Sequence, residues 1–121
     1  MIDIILADDQ FEVREALKCL LECQPDIHLA SEATSADELL THLSLVCPDL
    51  VLFDWELPES TGAELVSRMR ALCPAVRLVA WSGRPEACRE ALEAGAHGFV
   101  SKGDPPERLL YAIRHGDSAR V

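Results

Sequence analysis

The chain has 121 residues, 49% hydrophobic and 26% charged, which bounds it to about one globular domain with enough length to bury a core. Its formal net charge of -10 argues against direct nucleic-acid binding, which needs a basic face for the phosphates, and fits a basic partner or a site that holds a cation. No apolar stretch approaches the length needed to span a bilayer, and Asp3, Asp8 and Asp9 interrupt the apolar start where a signal peptide would run unbroken.

Five cysteines, Cys19, Cys23, Cys47, Cys73 and Cys88, form neither a CxxC pair nor a secreted disulfide framework. They are expected to be reduced thiols of a cytoplasmic protein. Cys19 and Cys23 stand one helical turn apart and could share a metal, but burial as small hydrophobes is the better expectation.

Along the chain, apolar runs alternate with amphipathic segments. Ile2–Ala7 is the first run and ends at Asp8-Asp9. Ile27–Ala33 is the second, followed by Ser35-Ala36-Asp37-Glu38, a capping-box pattern ahead of Leu39, Leu40 and Leu43 at helical spacing. Leu50–Phe53 is the third, without the period-two alternation of a half-exposed strand, and Asp54 follows it directly. Thr61-Gly62-Ala63-Glu64 then caps a helix whose stripe is Leu65, Val66, Met69 and Leu72. Val76–Trp81 is the fourth run, ending at Ser82, and Gly95 closes the helix behind it as a left-handed cap. Gly98–Val100 is the fifth, just ahead of Lys102, and Asp104-Pro105 is expected to start a last helix buried through Leu109, Leu110 and Ile113.

Strand–helix repeated in this way predicts an α/β fold, a doubly wound five-stranded parallel sheet with right-handed crossovers, in the flavodoxin-like order 2-1-3-4-5. Residues 1–115 form the expected domain, and 116–121 read as a tail or the start of a linker.

In such a sheet the ligand site lies beyond the carboxyl ends of the strands. Asp8, Asp9, Asp54, Ser82 and Lys102 all stand at those ends. Taken singly each has a bland reading: a solvated helix cap for Asp8-Asp9, a turn residue for Ser82, a surface charge for Lys102. Asp54 is harder to dismiss, because a carboxylate after a buried run must be paired, solvated or metal-bound. At one edge of one sheet the bland readings must all hold at once, and the functional reading is preferred. Clustered carboxylates repel unless a cation neutralises them, and oxygen-only ligands suit Mg2+. Positioning and charge neutralisation are most of what phosphoryl transfer requires, and a carboxylate acceptor forms an acyl phosphate.

Four motifs carry a family resemblance: Ile4-Ile5-Leu6-Ala7-Asp8-Asp9; Pro48-Asp49-Leu50-Val51-Leu52-Phe53-Asp54-Trp55-Glu56-Leu57-Pro58 with Gly62; Val79-Ala80-Trp81-Ser82-Gly83; and Gly95-Ala96-His97-Gly98-Phe99-Val100-Ser101-Lys102. Together they resemble the receiver domain of response regulators, in the CheY-like superfamily, over nearly the whole chain. The resemblance implies a two-component phosphoacceptor, not an enzyme beyond self-phosphorylation and self-dephosphorylation. It makes Asp54 the acceptor of a phosphoryl group from a sensor histidine kinase. Mg2+ would be bound by Asp9 directly, by Asp8 through water, by Asp54, and by the backbone carbonyl of Glu56. Lys102 would contact the phosphoryl oxygens, with Ser82 as switch hydroxyl and Phe99 as switch aromatic. Phe99 taken alone reads equally as ordinary core.

The segments 8–15 and 106–114 resemble receivers that precede a helix-turn-helix DNA-binding output domain, which would lie outside this chain, and a homodimer is compatible with the resemblance. Departures from the pattern are Gly103 where many receivers have proline (so no cis peptide is implied), Thr61 where Asp is frequent, a bulky Trp81 beside the site, and an added acid at Glu56. Glu56 and Arg84 border the same rim and are expected to meet above the phosphoryl group and tune its lifetime. The competing readings are a phosphate-independent docking receiver and a small Mg2+-dependent phosphohydrolase. Haloacid-dehalogenase-like phosphatases need a second Asp where Glu56 stands, and Asp8-Asp9 would repel the phosphate that a flavodoxin loop binds.

Overall fold

The computed structural model describes residues 1–115; the expected tail at 116–121 lies outside the described residues. The elements are β1 (Ile2–Ala7), α1 (Phe11–Glu22), β2 (Ile27–Ala33), α2 (Ala36–Leu45), β3 (Leu50–Asp54), α3 (Gly62–Leu72), β4 (Arg77–Ser82), α4 (Ala87–Ala94), β5 (Gly98–Ser101) and α5 (Pro106–His115). All strand pairs are parallel, in the order β2-β1-β3-β4-β5 expected from the sequence. Among the described residues no helix is long and apolar enough to cross a membrane.

The core explains why the strand sequences are continuously apolar. Side chains alternate across a strand, so both faces of this sheet need apolar residues if both are covered. Ile5, Val51, Phe53, Leu78, Ala80 and Phe99 pack on the face covered by α2, α3 and α4. Ile4, Leu6, Leu50, Leu52, Val79 and Val100 pack on the opposite face, under α1 and α5. Central β3 is buried at every position, whereas edge strand β2 alternates with exposed residues.

Local signals set the helix ends. Ser35 Oγ accepts the Glu38 N–H at 3.2 Å, and the Glu38 carboxylate reaches back to the Thr34 N–H, one residue earlier than a standard capping box. Thr61 Oγ1 accepts the Glu64 N–H at 3.1 Å. Gly95 closes α4 at φ 115°, a left-handed conformation that glycine adopts without cost. Gly62 is required for a different reason: a Cβ there would lie 2.5 Å from the ring of buried Trp55. Gly62→Ala should therefore destabilise the domain by about 1–3 kcal/mol through overpacking. An unchanged urea midpoint would show that the Trp55 ring moves aside freely.

Four expectations need correction. Asp104 does not cap α5: its carboxylate accepts the Ser101 N–H at 3.0 Å, and the helix begins at Pro106. The second of two consecutive prolines takes the first helical position, which frees Asp104 to close the turn carrying Lys102. Leu72 is 42% exposed, and Cys73 is buried in its place at the end of α3. Cys19 and Cys23 are exposed rather than buried. Finally, Cys47 and Cys73 are joined in a disulfide, with Cα atoms 5.7 Å apart. One precedes β3 and the other ends α3, and only the crossover brings them together.

Candidate functional site at the carboxyl edge of the sheet

Backbone hydrogen bonds fix the rim before any side chain acts. The Asp8 N–H donates to the Ala33 carbonyl (3.1 Å), the Trp55 N–H to the Trp81 carbonyl (2.8 Å), and the Lys102 N–H to the Ser82 carbonyl (2.8 Å). Strands β1, β3, β4 and β5 thus present their last residues side by side.

The expected residues come together there. Carboxylate oxygens of Asp8, Asp9 and Asp54 lie within 4.8 Å of one another. Asp8 and Asp54 are buried and Asp9 is exposed. Lys102 Nζ bridges the buried pair, 3.2 Å from Asp8 Oδ2 and 3.3 Å from Asp54 Oδ2. Asp54 Oδ1 accepts the Glu56 N–H at 3.0 Å. An open depression above them is lined by Asp9, Gln10, Asp54, Glu56, Arg84 and Lys102.

The electrostatics are those of an acidic site short of positive charge. Burial pushes the Asp54 carboxyl above the ordinary carboxylate range, the Glu56 N–H and Lys102 pull it down, and Asp8 adds to the rise. Burial alone would lower the Lys102 pKa, but Asp54 and Asp8 outweigh it and hold the ammonium above the usual lysine value. A close oxygen-only trio suits a hard divalent cation such as Mg2+, so the donor set fits that ion.

Ser82 is fully buried, and its hydroxyl donates to Glu56 at 2.9 Å while accepting the Arg84 N–H at 3.0 Å. Arg84 grips the same Glu56 carboxylate through Nε (3.1 Å) and Nη2 (2.8 Å). The expected meeting of Glu56 and Arg84 is present, and it includes Ser82. Phe99 is already turned inward, 5% exposed in the core under α4.

Three contacts were missed in the sequence. The Trp81 indole N–H donates to Asp8 Oδ2 at 3.0 Å, the Gln10 N–H to Asp8 Oδ1 at 2.8 Å, and Arg14 Nη1 to the Asp8 carbonyl at 2.9 Å. Only Trp81 carried a sequence signal, its bulk next to a site otherwise lined by small and charged groups.

Comparison with known proteins agrees with this geometry. The family model for the response regulator receiver domain matches residues 4–114. The chain is 32% identical over 120 residues to the nitrate/nitrite response regulator protein NarL of Escherichia coli (strain K12), covering 98% of this chain and 56% of that protein. It is 35% identical over 113 residues to the transcriptional activator protein ExaE of Pseudomonas putida, covering 92% and 53%. A crystal structure of a LuxR-family two-component response regulator from Aurantimonas sp. SI85-9A1 superimposes with a TM-score of 0.87 at 32% identity, over 94% of this chain and 83% of that one. The chain spans about half the length of the curated relatives it matches.

Proposed function

The chain belongs to the response regulator receiver family, in its NarL/LuxR branch, and on that premise we propose that Asp54 is the phosphoacceptor of a two-component switch. The observation that carries this reading is the setting of Asp54: a buried carboxylate at the end of the central strand, 3.3 Å from the Lys102 ammonium and within reach of Asp8 and Asp9.

The donor is the phosphohistidine of a sensor kinase. An Asp54 carboxylate oxygen attacks phosphorus, the P–N bond breaks as the P–O bond forms, and the imidazole leaves with the electron pair. Asp8, Asp9, Asp54 and the Glu56 carbonyl would hold Mg2+, which supplies positive charge to the transferring oxygens. Lys102 adds a further positive charge beside the acceptor. Ser82 then leaves Glu56 for a phosphoryl oxygen, and Phe99 relays the change to the outer face. Because Phe99 is already inward, phosphorylation would shift the population of an existing state rather than create one. The signal would pass, in the cytoplasm, to a helix-turn-helix DNA-binding domain or a second copy of the protein; the names of the relatives as transcriptional regulators support that output.

Incubation with acetyl phosphate and Mg2+ should add one phosphoryl group, labile to hydroxylamine, by intact-mass spectrometry. Asp54→Asn should remove all of it, and full labelling of that variant would overturn the assignment.

The contacts of Glu56 give a lifetime prediction. The ion pair with Arg84 is about half exposed, so its stability contribution is small, but from the rim of the depression it would act as a partial roof that limits the approach of water to the acyl phosphate. Glu56→Ala and Arg84→Ala should each speed loss of the phosphoryl group roughly tenfold, a barrier change of about 1.4 kcal/mol. The double variant should decay about as fast as either single one, because each single change already opens the roof. Equal decay in all four proteins would dispose of the roof.

A further inference from the structure

Trp81 precedes Ser82 in β4, and its ring is buried on the α1/α5 face with Leu17, Val100 and Leu109. That packing aims the indole edge at the acidic site. Nε1–H donates to Asp8 Oδ2 at 3.0 Å, and Lys102 Nζ reaches the same oxygen at 3.2 Å. Lys102 Nζ also lies 5.7 Å from the centre of the Trp81 ring. Asp8 is fully buried, and its other oxygen accepts the Gln10 N–H at 2.8 Å.

A buried carboxylate needs donors, and an indole supplies one without adding a charge that would compete with a bound cation. A ring packed against the α1/α5 core is also a stiffer support than the long, flexible chain of a lysine or glutamine donor. Lys102 is shared among Asp8, Asp54 and the Gln10 side-chain carbonyl (3.3 Å), and the π face adds a further attractive surface beside them.

We infer that Trp81 is a positioning residue of the cation site: its N–H fixes the rotation of Asp8, and its ring face keeps Lys102 between Asp8 and Asp54. The role rests on the reading of Asp8, Asp9 and Asp54 as a Mg2+ site. Without the N–H, Lys102 is the sole side-chain donor on Asp8 Oδ2 and is drawn towards it, away from Asp54. Two of the three acids then change their geometry. Loss of support for a metal ligand commonly costs about 10–100-fold in affinity.

The test is the Mg2+ dissociation constant of the whole chain by titration calorimetry. Trp81→Phe keeps a buried aromatic ring and removes the N–H together with the rest of the five-membered ring that carries it. Its Kd should rise about tenfold while circular dichroism reports an unchanged fold. A second readout uses Trp55→Phe, whose remaining indole is Trp81: its emission should shift with Mg2+ at the calorimetric midpoint. A Kd for Trp81→Phe within twofold of the parent would overturn the positioning role while leaving the metal site intact. Emission from Trp81 that stays flat through saturation would do the same, and it decides the matter if Trp81→Phe does not fold. A parent protein that takes up no Mg2+ would overturn both the site and the role.

Discussion

Reduction of the Cys47–Cys73 bond should lower the unfolding free energy by about 3–4 kcal/mol, the loop-closure entropy of a cross-link over a separation of 26 residues. That is a large share of the roughly 5–15 kcal/mol that holds an ordinary domain together. The closed loop contains β3 and α3, so in the unfolded chain the bond restrains the segment that carries Asp54. The native state should survive reduction, because buried contacts of β3 and α3 already hold both ends in place. Urea unfolding with and without a phosphine reductant measures the difference directly. Cys47→Ser should reproduce the reduced value and ignore the reductant, since Cys47 is exposed and serine fits there. Identical midpoints in both conditions would mean that the bond contributes nothing. Thiol buffers oppose such bonds, so the same titration in glutathione gives the redox conditions under which the bond persists.

The sequence carried the sheet because its signal is one of burial. Central β3 is covered on both faces and reads as an unbroken apolar run, while β1 and β2 keep the limits of their mainly apolar runs although Asp3, His28, Ser31 and Glu32 interrupt them. Strands β3, β4 and β5 each extend one residue further than their apolar runs, to Asp54, Ser82 and Ser101. Those additions are polar, so no hydropathy signal marks them, yet two of them are the site itself.

The acidic trio and Lys102 were legible because strand order converts sequence position into proximity. The disulfide was not, since the pairing of residues that lie on different elements depends on how α3 packs. Nor was the capture of Ser82 by Glu56. A side-chain rotamer at a loop decides it, and sequence spacing says only that the two lie near one another. Asp104 shows the same limit in reverse: its residue type fits a helix cap, but the backbone of the Lys102 turn offered a closer donor.

Magnesium should raise the melting temperature of the parent protein and leave Asp9→Ala almost unmoved. Among the described residues, the three carboxylates whose oxygens lie within 4.8 Å are ion-paired with one ammonium, that of Lys102. The site therefore carries surplus negative charge in the folded state, and the unfolded chain relieves it by separating the acids. A cation that binds only the folded form stabilises it by about 2.7 kcal/mol when present at a hundredfold over its Kd. For a domain of this size that is on the order of 10 °C. Asp9 is the informative position because it is exposed. Asp8 is tied to Trp81, Lys102 and Gln10, so removing it would disturb the core together with the site. Without Mg2+, Asp9→Ala should be at least as stable as the parent, since one of the repelling charges is gone. The substitution thus has opposite consequences with and without the cation, a pattern that general damage to the fold does not produce. An equal Mg2+ shift in parent and variant would place the cation away from Asp9, and a lower melting temperature of the metal-free variant would mean that Asp9 is held by attraction to Lys102 more strongly than it is repelled by its neighbours.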